Sequence, residues 1–88
     1  FKISSDLFLQ ADIAILSAAV SDFRPKKAKK NKIKKERNSN LTIDLVSNVD
    51  ILKHLGSIKK TNQLLIGFAL ESDNEVDNAI KKIKNKNL

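Results

Sequence analysis

Residues 12–20, DIAILSAAV, decide how this sequence folds. The stretch is an apolar run between polar flanks, and its length suits a buried strand better than a helix. A second run of the same kind, residues 63–70 (QLLIGFAL), follows further along the chain. Strands that are apolar at nearly every position are typical of parallel sheets covered on both faces. The two runs therefore predict an α/β fold with parallel strands.

Two stretches with helical periodicity accompany these strands. Residues 47–58 begin with three possible capping residues, Ser47, Asn48 and Asp50. Apolar residues then recur along one helical face. Residues 71–86 show the same periodicity, and Ser72 with Glu75 has the spacing of a capping box. The apolar positions are Ile51, Leu52, Leu55 and Ile58 in the first stretch and Val76, Ala79, Ile80 and Ile83 in the second. Both stretches predict amphipathic helices.

The remaining segments complete the expected order of elements. The first ten residues indicate the end of a helix whose Ile3, Leu7 and Phe8 face inward. Residues 41–46 alternate apolar and polar side chains, as a half-exposed strand does. The whole order predicts an α/β domain with a largely parallel sheet. Because the chain begins in mid-pattern and ends without a closing strand, we expect residues 1–88 to be part of one larger domain.

Positive charge is concentrated in one segment. The net charge is +7, and residues 24–37 hold nine of the seventeen basic residues with a single acid, so the rest of the chain sums to −1. Pro25 ends regular structure, and residues 26–40 have no apolar period, which predicts a long mobile loop. Such a loop suits a nucleic-acid partner, a solvated surface or a clamp on a phosphorylated substrate.

Composition excludes several kinds of site. The chain has no cysteine and one histidine, His54, which excludes disulfides, a cysteine nucleophile and a histidine-based metal cluster. No apolar run reaches the ~20 residues of a membrane span, and the first residues lack the pattern of a signal peptide. We therefore expect a cytoplasmic protein with no membrane partner and no metal-ligating side chains.

Candidate ligand-binding residues follow the predicted strands. In open α/β sheets, ligands gather outside the carboxyl ends of the strands. Here these ends are residues 17–25, 46–50 and 67–72. Asp22 either accepts a hydrogen bond from a ribose or base, or caps the turn before Pro25. Asn48 and Asp50 are either helix caps or ligands, and Phe68 either belongs to the core or stacks on a base.

Two lysines of the last helix complete the candidates. Lys82 and Lys86 are four residues apart and therefore share one helical face. They either meet a polyphosphate or form a solvated surface. The chain has two glycines in all, so it contains no glycine-rich phosphate loop.

Four segments resemble, in order and spacing, the phosphopantothenate–cysteine ligase family. They are AAVSDFRP (18–25), KIKK (32–35), LTIDLVSNVDIL (41–52) and GFALES (67–72). Family members are close to AAVADYRP, KIKK, NPDIL and GFAAET at these places. The resemblance covers residues 11–88, and in many bacteria this ligase is the C-terminal half of a bifunctional coenzyme A biosynthesis flavoprotein. This chain departs from the pattern at Val49, in place of proline, and at Leu70, in place of alanine.

The resemblance implies a fold, a reaction and partners. The fold is a three-layer α/β/α Rossmann-like sandwich, here a C-terminal fragment of it, and the family forms homodimers. CTP with Mg²⁺ activates the carboxylate of 4′-phosphopantothenate as an acyl-cytidylate, and the amine of cysteine then displaces CMP. FMN belongs only to the decarboxylase half, which lies outside this chain. The residues alone leave open whether the nucleotide is CTP or ATP, and no nucleic acid is implied.

The resemblance also implies roles for individual residues. Lys32 is the catalytic lysine, carried by a mobile flap over residues 24–40, where its ammonium stabilises the anionic nucleotide and intermediate. The implied nucleotide-binding residues are Leu16, Ser17, Ala18, Asp22, Lys32, Ser47, Asn48, Val49, Asp50, Phe68, Lys82 and Lys86.

Two alternative functions stay open. The first is a nucleic-acid-binding module that uses residues 26–37, although this segment has no aromatic side chain for base stacking. The second is a Rossmann-type dinucleotide-binding fragment, although the G-x-G-x-x-G fingerprint is missing.

Overall fold

A computed structural model describes residues 1–27 and 40–88. Within these ranges the elements are α1 (Lys2–Phe8), β1 (Ile13–Leu16), β2 (Phe23–Pro25), β3 (Leu45–Ser47), α2 (Ile51–Ile58), β4 (Leu64–Gly67) and α3 (Glu75–Lys86). Lys32 and most of the predicted mobile loop lie outside the described residues. None of the helices in the described ranges is long and apolar enough to cross a membrane.

The two apolar runs form a parallel pair of strands. β1 pairs with β4 in a register that joins Ile13 to Leu64 and Leu16 to Gly67. The backbone N–H of Leu64 also donates to the carbonyl of Asp12, at 2.8 Å, so the pairing begins one residue before β1. The predicted α/β class with a parallel sheet is confirmed, although both strands are shorter than the apolar runs.

Helices cover one face of this sheet. Leu65 of β4 is buried together with Leu55 of α2 and Phe8 of α1, and Ala14 and Leu16 of β1 pack against this cluster. This core confirms the amphipathic helix predicted for residues 47–58.

The opposite face of the sheet does not match the sequence prediction. Ile13 and Ile15 of β1 are 57% and 62% exposed, and Leu64 of β4 is also exposed. Side chains alternate between the two faces of a strand, so these residues share the face that the described helices leave uncovered. The second helical layer of the predicted sandwich is not formed by residues 1–27 and 40–88.

The first helix buries one side chain rather than the three predicted. Ile3 and Leu7 are exposed, whereas Phe8 is fully buried in the core. α1 has only seven residues. Its C-terminal Phe8 packs with Leu55 of α2 and Leu65 of β4, and at its other end the ring of the N-cap residue Phe1 lies edge-to-face against His54 of α2, with 4.8 Å between ring centroids.

A buried glutamine connects that end of α1 to the sheet. Gln63 Nε2 donates to the carbonyls of Phe8, at 2.6 Å, and Ala11, at 2.7 Å, and its Oε1 accepts from the N–H of Lys60, at 2.8 Å. The last carbonyls of a helix lack donors within the helix. Gln63 supplies a donor to one of them, the carbonyl of Phe8. No role for Gln63 was predicted from the sequence.

The helix starts only partly follow the predicted caps. Of the three candidates before α2, Asp50 is the N-cap, and its side chain accepts from the N–H of Lys53 at 3.0 Å. The capping box predicted for Ser72 and Glu75 is wrong. α3 begins at Glu75 itself, after Asn74 in a left-handed conformation with φ of 47°. Ser72 therefore lies before the N-cap position that a capping box requires.

β2 and β3 form a short antiparallel pair. Phe23 lies opposite Ser47, and Pro25 lies opposite Leu45. The N–H of Lys26 extends the pairing by donating to the carbonyl of Asp44 at 2.8 Å. The strand predicted over residues 41–46 is therefore shorter and ends one residue later, because β2 offers it only a few residues as a partner.

Both glycines mark close approaches between elements. A Cβ on Gly67 of β4 would overlap the Leu52 side chain of α2. A Cβ on Gly56, buried within α2, would overlap the backbone carbonyl of Lys86 at the end of α3. Asn87 Nδ2 also donates to the Gly56 carbonyl at 2.9 Å, which fixes the end of α3 against α2.

Candidate functional site

A cleft of about 560 Å³ opens at the carboxyl ends of β1 and β4. Because the two strands are parallel, the segments that follow them emerge at the same edge, where open α/β sheets place their ligands. The turn before α2 and one face of α3 complete the walls. Ten of the twelve candidate residues line this cleft, namely Leu16, Ser17, Ala18, Asp22, Asn48, Val49, Asp50, Phe68, Lys82 and Lys86.

The other two candidates are not among the lining residues. Ser47 is the last residue of β3, next to the cleft, and its backbone carbonyl accepts from Arg24 Nη1 at 3.1 Å. Lys32 lies outside the described residues. The binding roles of all twelve residues stay predictions.

Exposed apolar side chains form one wall of the cleft. Phe68, directly after β4, is 71% exposed and lines the cleft, which excludes the interpretation that it belongs to the core. Leu70, which stands where the family has alanine, is also a lining residue and is fully exposed.

A hydrogen-bond network joins the turn after β1 to the turn before α2. The N–H of Asn48 donates to the carbonyl of Asp22 at 2.7 Å. Asn48 Nδ2 donates to the carbonyl of Ser21 at 2.8 Å and to its Oγ at 3.3 Å. Arg24 Nη1 donates to Asn48 Oδ1 at 3.0 Å. In the sequence Arg24 is recognisable only as part of the basic segment, and this contact was not predicted.

Asp50 both caps α2 and pairs with a lysine of the cleft. Its Oδ1 accepts from the N–H of Lys53, and its Oδ2 lies 2.9 Å from Lys86 Nζ. Partial burial by itself raises the pKa of Asp50, but the N–H of Lys53 and the ammonium of Lys86 outweigh burial and hold the pKa below its ordinary value of 3.8.

Asp50→Asn is expected to remove a stabilisation that depends on pH. A lowered pKa in the folded state stabilises the fold at pH values above 3.8, and this contribution disappears as the pH falls through the lowered pKa. Asparagine is an equally good N-cap, and the ion pair is partly exposed, so we expect a loss of about 0.5 kcal/mol at neutral pH. Urea unfolding of both proteins between pH 7 and pH 2 measures the difference. A difference that stays constant across this range would contradict the assignment.

The second cleft lysine is also paired. Lys82 Nζ forms a salt bridge with Glu71 Oε1, an oxygen that is buried and whose charge the ammonium compensates. The pairing explains why Glu71, three residues after Phe68, lies beside the cleft. The position of Glu71 was difficult to predict from the sequence, because the residue lies between β4 and α3, where neither helix nor strand periodicity applies.

Metal-binding side chains do not gather at the cleft. Among residues 1–27 and 40–88, no three His, Asp or Glu side chains lie together in an arrangement that could hold a metal ion. The two carboxylates nearest the cleft lysines, those of Asp50 and Glu71, are engaged in ion pairs.

The fold and the cleft define a class of protein. Parallel strands with a cleft at their carboxyl ends are typical of α/β domains that bind their ligand at that edge. The comparison with known families identifies the particular one. Residues 2–88 match the DNA/pantothenate metabolism flavoprotein C-terminal domain, and the chain belongs to this family.

Individual relatives cover nearly the whole chain. It is similar to the coenzyme A biosynthesis bifunctional protein CoaBC of Borreliella burgdorferi, with 43% identity over 100% of this chain and 23% of the relative. The CoaBC of Bacillus subtilis strain 168 is 46% identical over 89% of this chain and 19% of the relative. A protein named cysteine/cysteine sulfinic acid decarboxylase, from an unknown prokaryotic organism, is 49% identical over 97% of this chain and 23% of the relative. The chain thus spans less than a quarter of the length of these relatives.

Proposed function

We propose that this chain forms the nucleotide-binding cleft of a phosphopantothenate–cysteine ligase in coenzyme A biosynthesis. The carboxylate of 4′-phosphopantothenate attacks the α-phosphorus of CTP, and pyrophosphate leaves. The amine of cysteine then attacks the acyl carbon of the acyl-cytidylate, and CMP leaves with the bonding electron pair. The observation that supports the proposal is the gathering of ten candidate residues from four separate segments around one cleft.

The nucleoside end of CTP fits the side of the cleft that follows β1. Ser17 and Ala18 are small, so a ligand can approach the main chain closely there. The carboxylate of Asp22 can accept from a ribose hydroxyl or from the amino group of cytosine. The exposed ring of Phe68 offers a surface on which a base can stack.

The triphosphate fits the side of the cleft formed by α3. A lysine ammonium has three N–H donors. Lys82 and Lys86 each pair with one carboxylate oxygen, so each ammonium keeps further N–H donors for phosphate oxygens. Mg²⁺ enters as part of the nucleotide substrate and neutralises charge on the phosphates. Magnesium commonly takes substrate phosphates and few protein carboxylates as ligands, which agrees with the scarcity of unpaired carboxylates among the described residues near the cleft lysines.

Lys86→Ala is expected to weaken the binding of Mg·CTP about tenfold, because it removes a charge-assisted hydrogen bond to the triphosphate. Lys84→Ala is the matched control, since Lys84 lies on the same helix and is not among the cleft-lining residues. Titration calorimetry of the full-length protein, with ATP beside CTP, measures both dissociation constants. Equal losses for the two variants would show that the lysines act only through general electrostatic attraction.

The same titrations separate the proposal from its alternatives. Nucleotide binding that persists at moderate salt supports the ligase cleft. The nucleic-acid-binding module would be favoured instead if the protein bound a DNA duplex tightly, if this affinity fell steeply with added salt, and if the protein showed no preference among nucleotides.

The decarboxylase name of one relative calls for an activity assay. Decarboxylation of cysteine or cysteine sulfinic acid consumes no nucleotide, whereas the proposed ligase releases one pyrophosphate for each amide bond formed. Release of pyrophosphate that requires CTP, 4′-phosphopantothenate and cysteine together supports the ligase. We propose in addition that the ligase works as a cytoplasmic homodimer.

A further inference from the structure

We propose that Arg24 and Asn48 are positioning residues that hold Asp22 at the rim of the cleft, and that the Asn48 side chain acts through this network without contacting the nucleotide. The inference rests on the proposed function and deepens it. It changes the role of Asn48, a predicted ligand, and gives Arg24 a role at the same site. We call the four residues Ser21, Asp22, Arg24 and Asn48 the rim clamp.

The side chain of Asn48 is already engaged on both sides of its amide. Its Nδ2 lies 2.8 Å from the carbonyl of Ser21 and 3.3 Å from Ser21 Oγ, and its Oδ1 lies 3.0 Å from Arg24 Nη1. A guanidinium can only donate and a carbonyl can only accept, so the chemistry of the partners fixes which end of the amide faces which. Both N–H donors of Asn48 are thereby directed at Ser21, and a ligand would have to displace these contacts to use them.

The clamp fixes the main chain on both sides of the Asp22 side chain. The Asn48 side chain engages the carbonyl of Ser21, and the Asn48 N–H donates to the carbonyl of Asp22 at 2.7 Å. None of these contacts uses a carboxylate oxygen of Asp22. The arrangement therefore orients the Asp22 carboxylate while it stays available for a hydrogen bond to the ligand.

Arg24 connects the clamp to the β2–β3 pair. Its Nη1 donates to Asn48 Oδ1 and, at 3.1 Å, to the carbonyl of Ser47. Arg24 lies on β2 opposite Val46, so the guanidinium reaches both acceptors across the pair of strands. Arg24 begins the basic segment in the sequence, yet its guanidinium is directed at the protein itself. Its charge is used for positioning and not as one more cation for a distant anion.

A double-mutant cycle tests the clamp. The dissociation constant of Mg·CTP is measured by calorimetry for the full-length protein carrying Asp22→Asn, Arg24→Gln or both changes. Asp22→Asn is expected to weaken binding about tenfold. Arg24→Gln is expected to weaken binding about fivefold by misplacing the same carboxylate, and the double variant is expected to match Asp22→Asn alone, because coupled residues do not act additively.

Two further variants make the cycle specific. When Asn48→Ala replaces Arg24→Gln in the cycle, the same result is expected. The single change should weaken Mg·CTP binding, and it should cause no further loss of affinity in the Asp22→Asn protein. Lys60→Gln removes an equal positive charge at the opposite end of the parallel strands, before β4, and should leave the dissociation constant unchanged. A loss caused only by lower net charge would appear in this control.

The outcomes separate the inference from the proposed function. Independent effects, with the double variant weaker by the product of the single factors, would overturn the clamp while leaving the ligase cleft intact. A direct contact from Asn48 would appear as an undiminished loss for Asn48→Ala in the Asp22→Asn background. If the unchanged protein did not bind CTP at all, the proposed function would fail, and the clamp would fail with it.

Discussion

Gly56→Ala is expected to destabilise the domain by about 2 kcal/mol, although alanine is the better helix former by about 1 kcal/mol. Gly56 is buried in the middle of α2, and a Cβ at this position would overlap the carbonyl oxygen of Lys86 and lie 2.8 Å from its carbonyl carbon. Overpacking costs about 1–3 kcal/mol. A backbone group cannot rotate away as a side chain can, so we expect the cost to exceed the gain in helix propensity.

The same substitution should also affect the cleft. Lys86 is the residue against which the added methyl group would press, and its Nζ pairs with Asp50 at the cleft wall. Displacement of the end of α3 is therefore expected to weaken Mg·CTP binding together with stability. Urea unfolding and CTP titration measure the two effects.

The neighbouring residue provides a matched control for this prediction. Ser57 lies next to Gly56 in α2, where its side chain is exposed and its Oγ donates to the carbonyl of His54, so Ser57→Ala is a mild change. We expect a change within about 0.5 kcal/mol, as for most surface substitutions. A Gly56→Ala protein as stable as the Ser57→Ala protein would contradict the close approach of α2 and α3.

Lys32→Ala is expected to lower the turnover number of the full-length protein in the proposed reaction about 100-fold or more. The proposed reaction develops negative charge on the phosphates as pyrophosphate leaves. Loss of one positioned donor for developing charge typically costs this much in other enzymes. The KM for CTP should change much less, because the interaction is stronger in the transition state than in the bound substrate. The assay is CTP-dependent pyrophosphate release with 4′-phosphopantothenate and cysteine at saturation.

A second lysine of the same basic segment is the control for Lys32. Lys29→Ala removes the same charge three residues earlier, at a position that the family resemblance leaves without a role. We expect its turnover number to stay within about twofold of the unchanged protein. Equal losses in the two variants would mean that the segment contributes net charge and that Lys32 is not a positioned catalytic group.

The fold could be predicted from the sequence where burial leaves a pattern. The apolar runs around Ile15 and Ile66 predicted the parallel pair correctly, and the apolar face of residues 51–58 predicted α2. Periodicity could not predict that α1 ends at Phe8 with Leu7 exposed, because packing against α2 and β4 decides which turn of a helix is buried. It also could not show that Ile13 and Ile15 are uncovered in the described part of the chain.

The cleft was predictable for a topological reason. Parallel strands bring the segments after their carboxyl ends together, so the neighbourhood of Asp22 and Phe68 followed from the strand assignment. The long-range hydrogen bonds were not predictable. Gln63, Arg24 and Glu71 are polar residues in irregular or short segments, and only the folded geometry gives them partners far along the chain. The family resemblance named the ligand candidates but not the groups that hold them in place.

The β2–β3 pair has a consequence for how this family can diverge. Pro25 lies opposite Leu45, and the N–H of Lys26 donates to the carbonyl of Asp44. These contacts hold together the two ends of the connection between β2 and β3. The entropic cost of closing a connection grows only with the logarithm of its length, about 0.6 kcal/mol for each doubling. A change of a few residues in the distance between Lys26 and Asp44 therefore alters this closure cost by less than about 0.6 kcal/mol, whereas a one-residue slip within either short strand would reverse the faces of its side chains. Selection can thus tune the length and charge of this connection while the architecture beneath it stays constant.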